Sequence, residues 1–145
     1  MGNLYAESGI VSNNVENRAT LAHPELTDMN YTNGVNDGTY TQFTTDRYGY
    51  GIAQWTSEGR KTGLKKYADS QNASISNLNM QLSYLMQELN SEYKGVLNTL
   101  RNATSIKEAS DAILTKFEMP KDQSDAVKTK RVGYGQTFYD KYAIK

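Results

Sequence analysis

Apolar residues recur at helical spacing along most of the chain, in blocks separated by Gly, Pro, Ser and Asn. Leu78, Leu82, Leu85, Met86 and Leu89 form the stripe of a helix that turns one face to a core, and this predicts a central helix. Ile106, Ala109, Ile113 and Phe117 form a second stripe. Ser105 and Glu108 ahead of it fit a capping box, and Met119-Pro120 ends it, because proline cannot continue a helix. Val127, Arg131, Tyr134, Phe138 and Tyr142 predict a last helix from about 125 to 141. Thr56 or Ser57 can cap another that runs to about Ser70, with Leu64, Tyr67 and Ala68 on one side. Glu25 to Val35 predicts a shorter helix, closed by Gly34 or Gly38. Residues up to Ser8 predict two helical turns stopped by Gly9, and Ser12 to Asn17 is polar and loop-like. Only one region changes period. Tyr40, Gln42 and Thr44 alternate with Thr39, Thr41 and Phe43, and Asp46-Arg47-Tyr48-Gly49 turns the chain into Tyr50 to Trp55. This predicts a β-hairpin, so the expected fold is α+β, mostly α, with one small hairpin.

The 145 residues suit one domain, and a single domain over 1–145 is expected. Hydrophobic content is low at 37%, but eleven tyrosines add amphipathic area that suits a wet groove and also a plain core. The absence of cysteine removes disulfides, thiolate nucleophiles and Cys-based zinc sites. No stretch is long and apolar enough to span a membrane, and the N-terminal residues lack a signal-peptide layout. Met1-Gly2 is not a myristoylation signal, since position six is Ala6. Charge sums to zero but is uneven: residues 1–60 carry seven acidic and three basic side chains, whereas 121–145 carry three acidic and six basic. The acidic first part argues against a nucleic-acid groove, and the basic end reads as a solvated helix face. The lone His23 precedes Pro24 and supports neither a triad nor a zinc site, and Asp28-x-Asn30-x-Thr32 departs from a calcium loop at its glycine and at its last ligand. No metal or cofactor is expected.

Two short pieces carry the chemistry: Gly2-Asn3-Leu4-Tyr5-Ala6-Glu7-Ser8-Gly9 and Gly49-Tyr50-Gly51-Ile52-Ala53-Gln54-Trp55. A helix ending in Glu-Ser-Gly, followed by a Gly-x-Gly-aliphatic-x-Gln segment, resembles the lysozyme-like superfamily of goose-type lysozymes and lytic transglycosylases. The longer spelling, Asn-Leu-x-x-Glu-Ser-Gly then Gly-Tyr-Gly-Ile-Ala-Gln-Trp-Thr, most resembles the phage tail lysozyme family. The likeness continues through Gln81 to Glu88, Ala109 to Phe117 and the Tyr-rich end, and so covers nearly the whole chain. It departs where Met1 stands almost on top of the motif, where the family has a further helix upstream; an excised domain or a truncated gene is expected.

The resemblance implies a lysozyme-like helical domain whose β-hairpin flanks the active-site cleft. It implies a muramidase that acts on the β-1,4 bond from N-acetylmuramic acid to N-acetylglucosamine in bacterial peptidoglycan. The protein would be a monomer, outside the cell or on a virion. A lytic transglycosylase that yields anhydro-sugars and a wall-binding module without catalysis are the alternatives.

Glycoside hydrolysis needs a protonated acid to protonate the leaving oxygen as the bond breaks. Glu7 fits: the negative end of a helix and burial by Leu4, Tyr5 and Ile10 both disfavour a carboxylate, although a glutamate near a helix end can also simply be solvated. In an extended 49–55 segment, Gly49, Gly51, Ala53 and Trp55 share one face, and Tyr50, Ile52 and Gln54 the other. A nearly bald backbone could then meet N-acetyl groups, with Gln54 beside Glu7; the plainer reading makes Trp55 and Ile52 core. Tyr50, Gly51, Gln54 and Trp55 are the expected glycan contacts. Asp46, in the turn, is the candidate second carboxylate, and Asp37 the runner-up, although Asp37-Gly38 is also ordinary turn chemistry. Ser8 either orients Glu7 or substrate or caps the helix, and Tyr134 either reaches the cleft or packs.

Overall fold

The structure is a computed structural model, and it describes residues 1–144. Among these residues 62% lie in eight α-helices and one π-helical turn, and 2% are extended. The helices are α1 (Gly2–Ser8), α2 (Asn17–Ala22), α3 (Asp28–Asp37), α4 (Glu58–Ser70), α5 (Leu78–Asn90), α6 (Lys94–Asn102), α7 (Ile106–Ile113) and α8 (Asp125–Tyr142), with one π-helical turn, Leu114–Glu118, after α7.

The helix boundaries follow local chemistry. Gly9 stops α1 at φ 63°, and its N–H returns to the Tyr5 carbonyl at 2.8 Å. Thr27 caps α3 by accepting from the Asn30 amide, and Gly38 ends it at φ 82°. At α7 Ser105 Oγ accepts from the Glu108 amide at 3.1 Å, and Glu108 Oε2 reaches back past the cap to accept from the Thr104 amide at 3.0 Å. Met119, at φ 45°, ends the π turn just before Pro120.

The chain divides into two compact units. The first joins Met1–Gly9 to the chain from Met86 onward. Here α1 packs on α8 and α7, and it does so backbone against backbone: a Cβ on Gly2 would fall 2.7 Å from the Arg131 carbonyl, and one on Gly135 would lie 3.0 Å from the Ile106 side chain. The Tyr5 ring meets Tyr134 and Phe138 edge-on at 4.9 and 5.6 Å, while Leu114 and Phe117 fill the interior.

The second unit, Ile10–Leu85, is built on an aromatic core. Tyr31 stacks on Tyr50 at 5.4 Å, Phe43 meets both edge-on, and Trp55 packs against Tyr84. Ile52, Leu64 and Ile75 complete it.

The expected hairpin does not form. Thr45 and Asp46 both donate their amides to the Gln42 carbonyl, so 42–46 is a turn rather than a strand. Tyr50 and Trp55 exchange backbone hydrogen bonds of 3.1 and 3.0 Å with each other, and the residues between them reverse tightly, with Gly51 at φ 76° and Gln54 at φ 48°. Extended structure is confined to the bridges Val15–Tyr50 and Tyr50–Trp55. The period-2 pattern was real, but Gly51's left-handed backbone closes the segment on itself before a second strand can pair.

The buried face of α5 also differs from its apolar stripe. Leu78, Leu82 and Met86 are exposed, while Gln81 is wholly buried beside Met80, Tyr84 and Leu85. Gln81 Oε1 accepts from the Ile52 amide at 3.0 Å, and its Nε2 donates to the carbonyls of Ser12 and Ile75 at 2.7 and 2.6 Å. It therefore stitches α5 to three loops that have no sheet to satisfy them. Gln81→Leu would strand these buried groups at roughly 1–3 kcal/mol each. A loss of about 3 kcal/mol or more is expected in urea unfolding, with the midpoint lowered at unchanged slope.

Candidate active site

In the first unit, Gly9 ends α1 so that Glu7 lies in its last turn. Opposite, α8 presents Arg131, whose position on the helix's apolar stripe forces its stem and guanidinium inward, leaving the residue 7% exposed. The planar fork binds on two sides. Nη2 donates to Glu7 Oε1 at 2.5 Å, and Nη1 donates to Glu118 Oε2 at 2.5 Å and to Asn3 Oδ1 at 3.1 Å. Asn3 in turn donates its Nδ2 to the carbonyl and hydroxyl of Ser110 on α7, at 3.1 and 3.2 Å. Two helices and the π turn thus hold two carboxyl groups on one arginine.

The carboxyls are unequal. Glu7's side chain is 21% exposed and Glu118's 3%. Burial, then the Glu7 charge, push Glu118 up to about 8 against the pull of Arg131, and a hydrogen bond between the two carboxyls acts in the same direction as burial. A carboxyl that holds its proton more tightly folded than unfolded stabilises the fold in full below the unfolded value near 4.5, and loses that contribution as pH rises through about 8. Glu118→Gln, neutral at every pH, is therefore expected to flatten the fall of the melting temperature between about pH 5 and about pH 8, as followed by calorimetry.

Ser8 is buried and donates its hydroxyl to the Leu4 carbonyl at 3.1 Å, a contact within α1. Tyr134 is half-buried against Tyr5, with the Lys130 ammonium 6.0 Å from its ring centre.

The other expected site residues lie in the second unit. Asp46, 3% exposed at its side chain, accepts from Tyr31 Oη at 2.6 Å, Tyr40 Oη at 2.9 Å, the Tyr48 amide at 2.9 Å and Lys61 Nζ at 2.5 Å. Both of its oxygens are engaged, which is the geometry of an internal anchor. Burial and the Asp46 carboxylate push the Tyr31 and Tyr40 hydroxyls upward, so they stay donors, and desolvation lowers Lys61 while Asp46 opposes it. Asp37 is exposed and closes a turn by accepting from the amide and hydroxyl of Thr39, which hold it below the usual carboxylate range.

Tyr50 and Trp55 are wholly buried. Gly51 is buried too: a Cβ there would meet the Gln81 amide at 2.7 Å. The face expected to be bare is covered by glutamine side chains, Gln81 over Gly51 and Gln54 over Gly49. Gln54 donates Nε2 to the carbonyls of Asn14 and Gly51 at 3.1 and 3.0 Å, bracing its own loop. This unit also has an open pocket of about 440 Å³, with Asp46, Tyr40, Gln42, Tyr48, His23 and Glu25 in its wall. Among the described residues, no cluster of three His, Asp or Glu side chains could hold a metal ion.

The family model for phage tail lysozyme matches residues 1–142. The chain belongs to the phage tail lysozyme family. No curated protein and no solved structure matches it. Membership among the phage tail lysozymes implies a lysozyme-like, cell-wall-cleaving enzyme with peptidoglycan as substrate, and virion-associated action at the wall. No helix among the described residues is long and apolar enough to cross a membrane.

Three residues around Glu7 in this phage tail lysozyme escaped the sequence reading: Glu118, Arg131 and Asn3. One of them left a signal. An arginine in the stripe Val127, Arg131, Tyr134, Phe138 is a charge at a core position, and a buried arginine requires carboxylate partners. Nothing local marked which carboxylates those would be.

Proposed function

We propose that this phage tail lysozyme hydrolyses the β-1,4 bond between N-acetylmuramic acid and N-acetylglucosamine, with Glu7 as the general acid. The observation that carries the reading is a carboxyl in the Glu-Ser-Gly turn that is partly open to solvent yet anchored by a buried arginine. Such a group can reach a glycosidic oxygen while its rotamer is fixed from behind, which is what proton transfer to a leaving group requires. Ser8 and Tyr134 support it in our reading, Ser8 by bonding within the last turn of α1 and Tyr134 by packing on Tyr5. We assign Tyr50, Gly51 and Trp55 to the core that shapes their loop, leaving Gln54, the half-buried member of that loop, as the glycan contact within it.

A second reading, a lytic transglycosylase, is favoured by the engagement of Asp46, since that chemistry needs one acid and the substrate's own hydroxyl. Purified peptidoglycan digested by the protein and read by mass spectrometry separates the two. Reducing muramic ends support hydrolysis, and anhydro-muramic ends transfer the assignment to a transglycosylase. Undigested glycan would remove both and leave a wall-binding module.

A further inference from the structure

We propose that Glu118 is the proton store for Glu7: the two carboxyls hold one proton between them across Arg131, and Glu118 recharges Glu7 for each cleavage. The proposal rests on the reading of Glu7 as the acid. It begins with the geometry of the shared arginine. Arg131 spans the pair with contacts of 2.5 Å to each, so neither carboxyl can be considered alone. With both ionised, the trio would carry one uncompensated negative charge beside a group only 3% exposed; one proton removes it.

The atoms say where the proton sits. Glu118 Oε2 accepts from Arg131, whereas Glu118 Oε1 is buried and accepts from no donor. An oxygen left without a donor in the interior is satisfied by carrying the hydrogen itself, and Glu7, which is hydrogen-bonded to Glu118, is held on the same guanidinium. The exposures set the direction of transfer, because the buried Glu118 reaches the reacting bond only through Glu7, the more open of the two.

Other charges nearby are few. From α1 the Met1 amino group feels Glu118, although burial lowers its own proton affinity. On α7 Asp111 pairs with Lys107, and on α8 Lys128 pairs with Asp125 at 3.9 Å.

In the cycle, Glu118 passes the shared proton to Glu7, and the new Glu118 carboxylate stays on Arg131. Glu7 gives that proton to the glycosidic oxygen as the bond to the sugar carbon breaks and the electron pair stays on that oxygen. Water supplies hydroxide to the sugar carbon, and its remaining proton restores the pair. Glu118 is thus a positioning and proton-holding residue that never touches substrate.

Carboxyl carbon-13 resonances of the wild-type protein, followed from pH 3 to 10, test this without a substitution. Glu118 is expected to titrate near about 8. A Glu118 carboxyl that titrates below about 5 would overturn it. In turbidity clearing of purified walls, the alkaline limb of the wild-type rate is expected near about pH 8, and in Glu118→Gln it should move toward acid by about one unit or more. Clearing at pH 8 relative to clearing at pH 5 would then fall about tenfold or more. A purely structural Glu118 predicts an unmoved limb, which would also overturn the proposal. Glu7→Gln is the control: inert Glu7→Gln with an unmoved limb sinks the proton store alone, whereas active Glu7→Gln sinks the reading on which it rests.

Discussion

Glu7→Gln is expected to lower the rate of wall clearing by about 10²–10⁴-fold, the usual worth of a positioned proton donor, while the protein stays folded. The amide keeps an oxygen that can accept from Arg131, and Arg131 keeps its bonds to Glu118 and Asn3, so little packing is lost. Stability should change by no more than about 1 kcal/mol, in line with a partly exposed ion pair. Binding to insoluble wall should survive, because an amide is nearly isosteric with the carboxyl. The measurement is clearing rate beside pelleting with purified peptidoglycan. A variant that still clears at the wild-type rate would end the assignment of Glu7.

Lys61→Met should produce the largest loss of stability. Lys61 Nζ, wholly buried, donates to Asp46 at 2.5 Å, to the Tyr48 carbonyl at 2.8 Å and to the Tyr31 hydroxyl at 3.0 Å, and lies 4.5 Å from the centre of the Phe43 ring. Removing the cation leaves a buried carboxylate held only by neutral donors, which costs about 3–5 kcal/mol. Against a typical total of about 5–15 kcal/mol, much of the protein would be near its unfolding threshold. Adding Asp46→Asn to the same chain should recover part of the loss, because the uncompensated charge goes with its partner. Urea unfolding of the single and double variants checks both statements. The pair also bears on catalysis. If Asp46 is an anchor, Asp46→Asn loses activity only as far as it loses folded protein; an activating carboxylate would cost about a hundredfold or more in fully folded enzyme.

Helices were legible wherever one local cause sufficed. The capping box at Ser105 and Glu108, the glycine stops at Gly9 and Gly38, and the break at Met119-Pro120 involve neighbours in sequence, and each stands where its residues call for it. The hairpin was misread because alternation of Thr, Tyr and Gln between 39 and 45 records side-chain type, not the presence of a partner strand. The face of α5 was legible only in part: Leu85 and Leu89 are buried as their spacing predicts, but three loop backbone groups needed a side chain with both donor and acceptor, and Gln81 offered them where hydrophobicity ranks Leu above Gln.

The candidate site divides the same way. Residue order alone was enough for the helix that ends at Glu7 and for membership in a wall-cleaving family, because both are written in contiguous motifs. Which groups surround that acid was settled only by folding. Asn3, Glu118 and Arg131 are up to 128 positions apart, and their meeting depends on α1 lying directly on α8 through Gly2 and Gly135. Charge pairing in an interior is a property of distance in space, and a linear pattern carries no record of it until the helices pack.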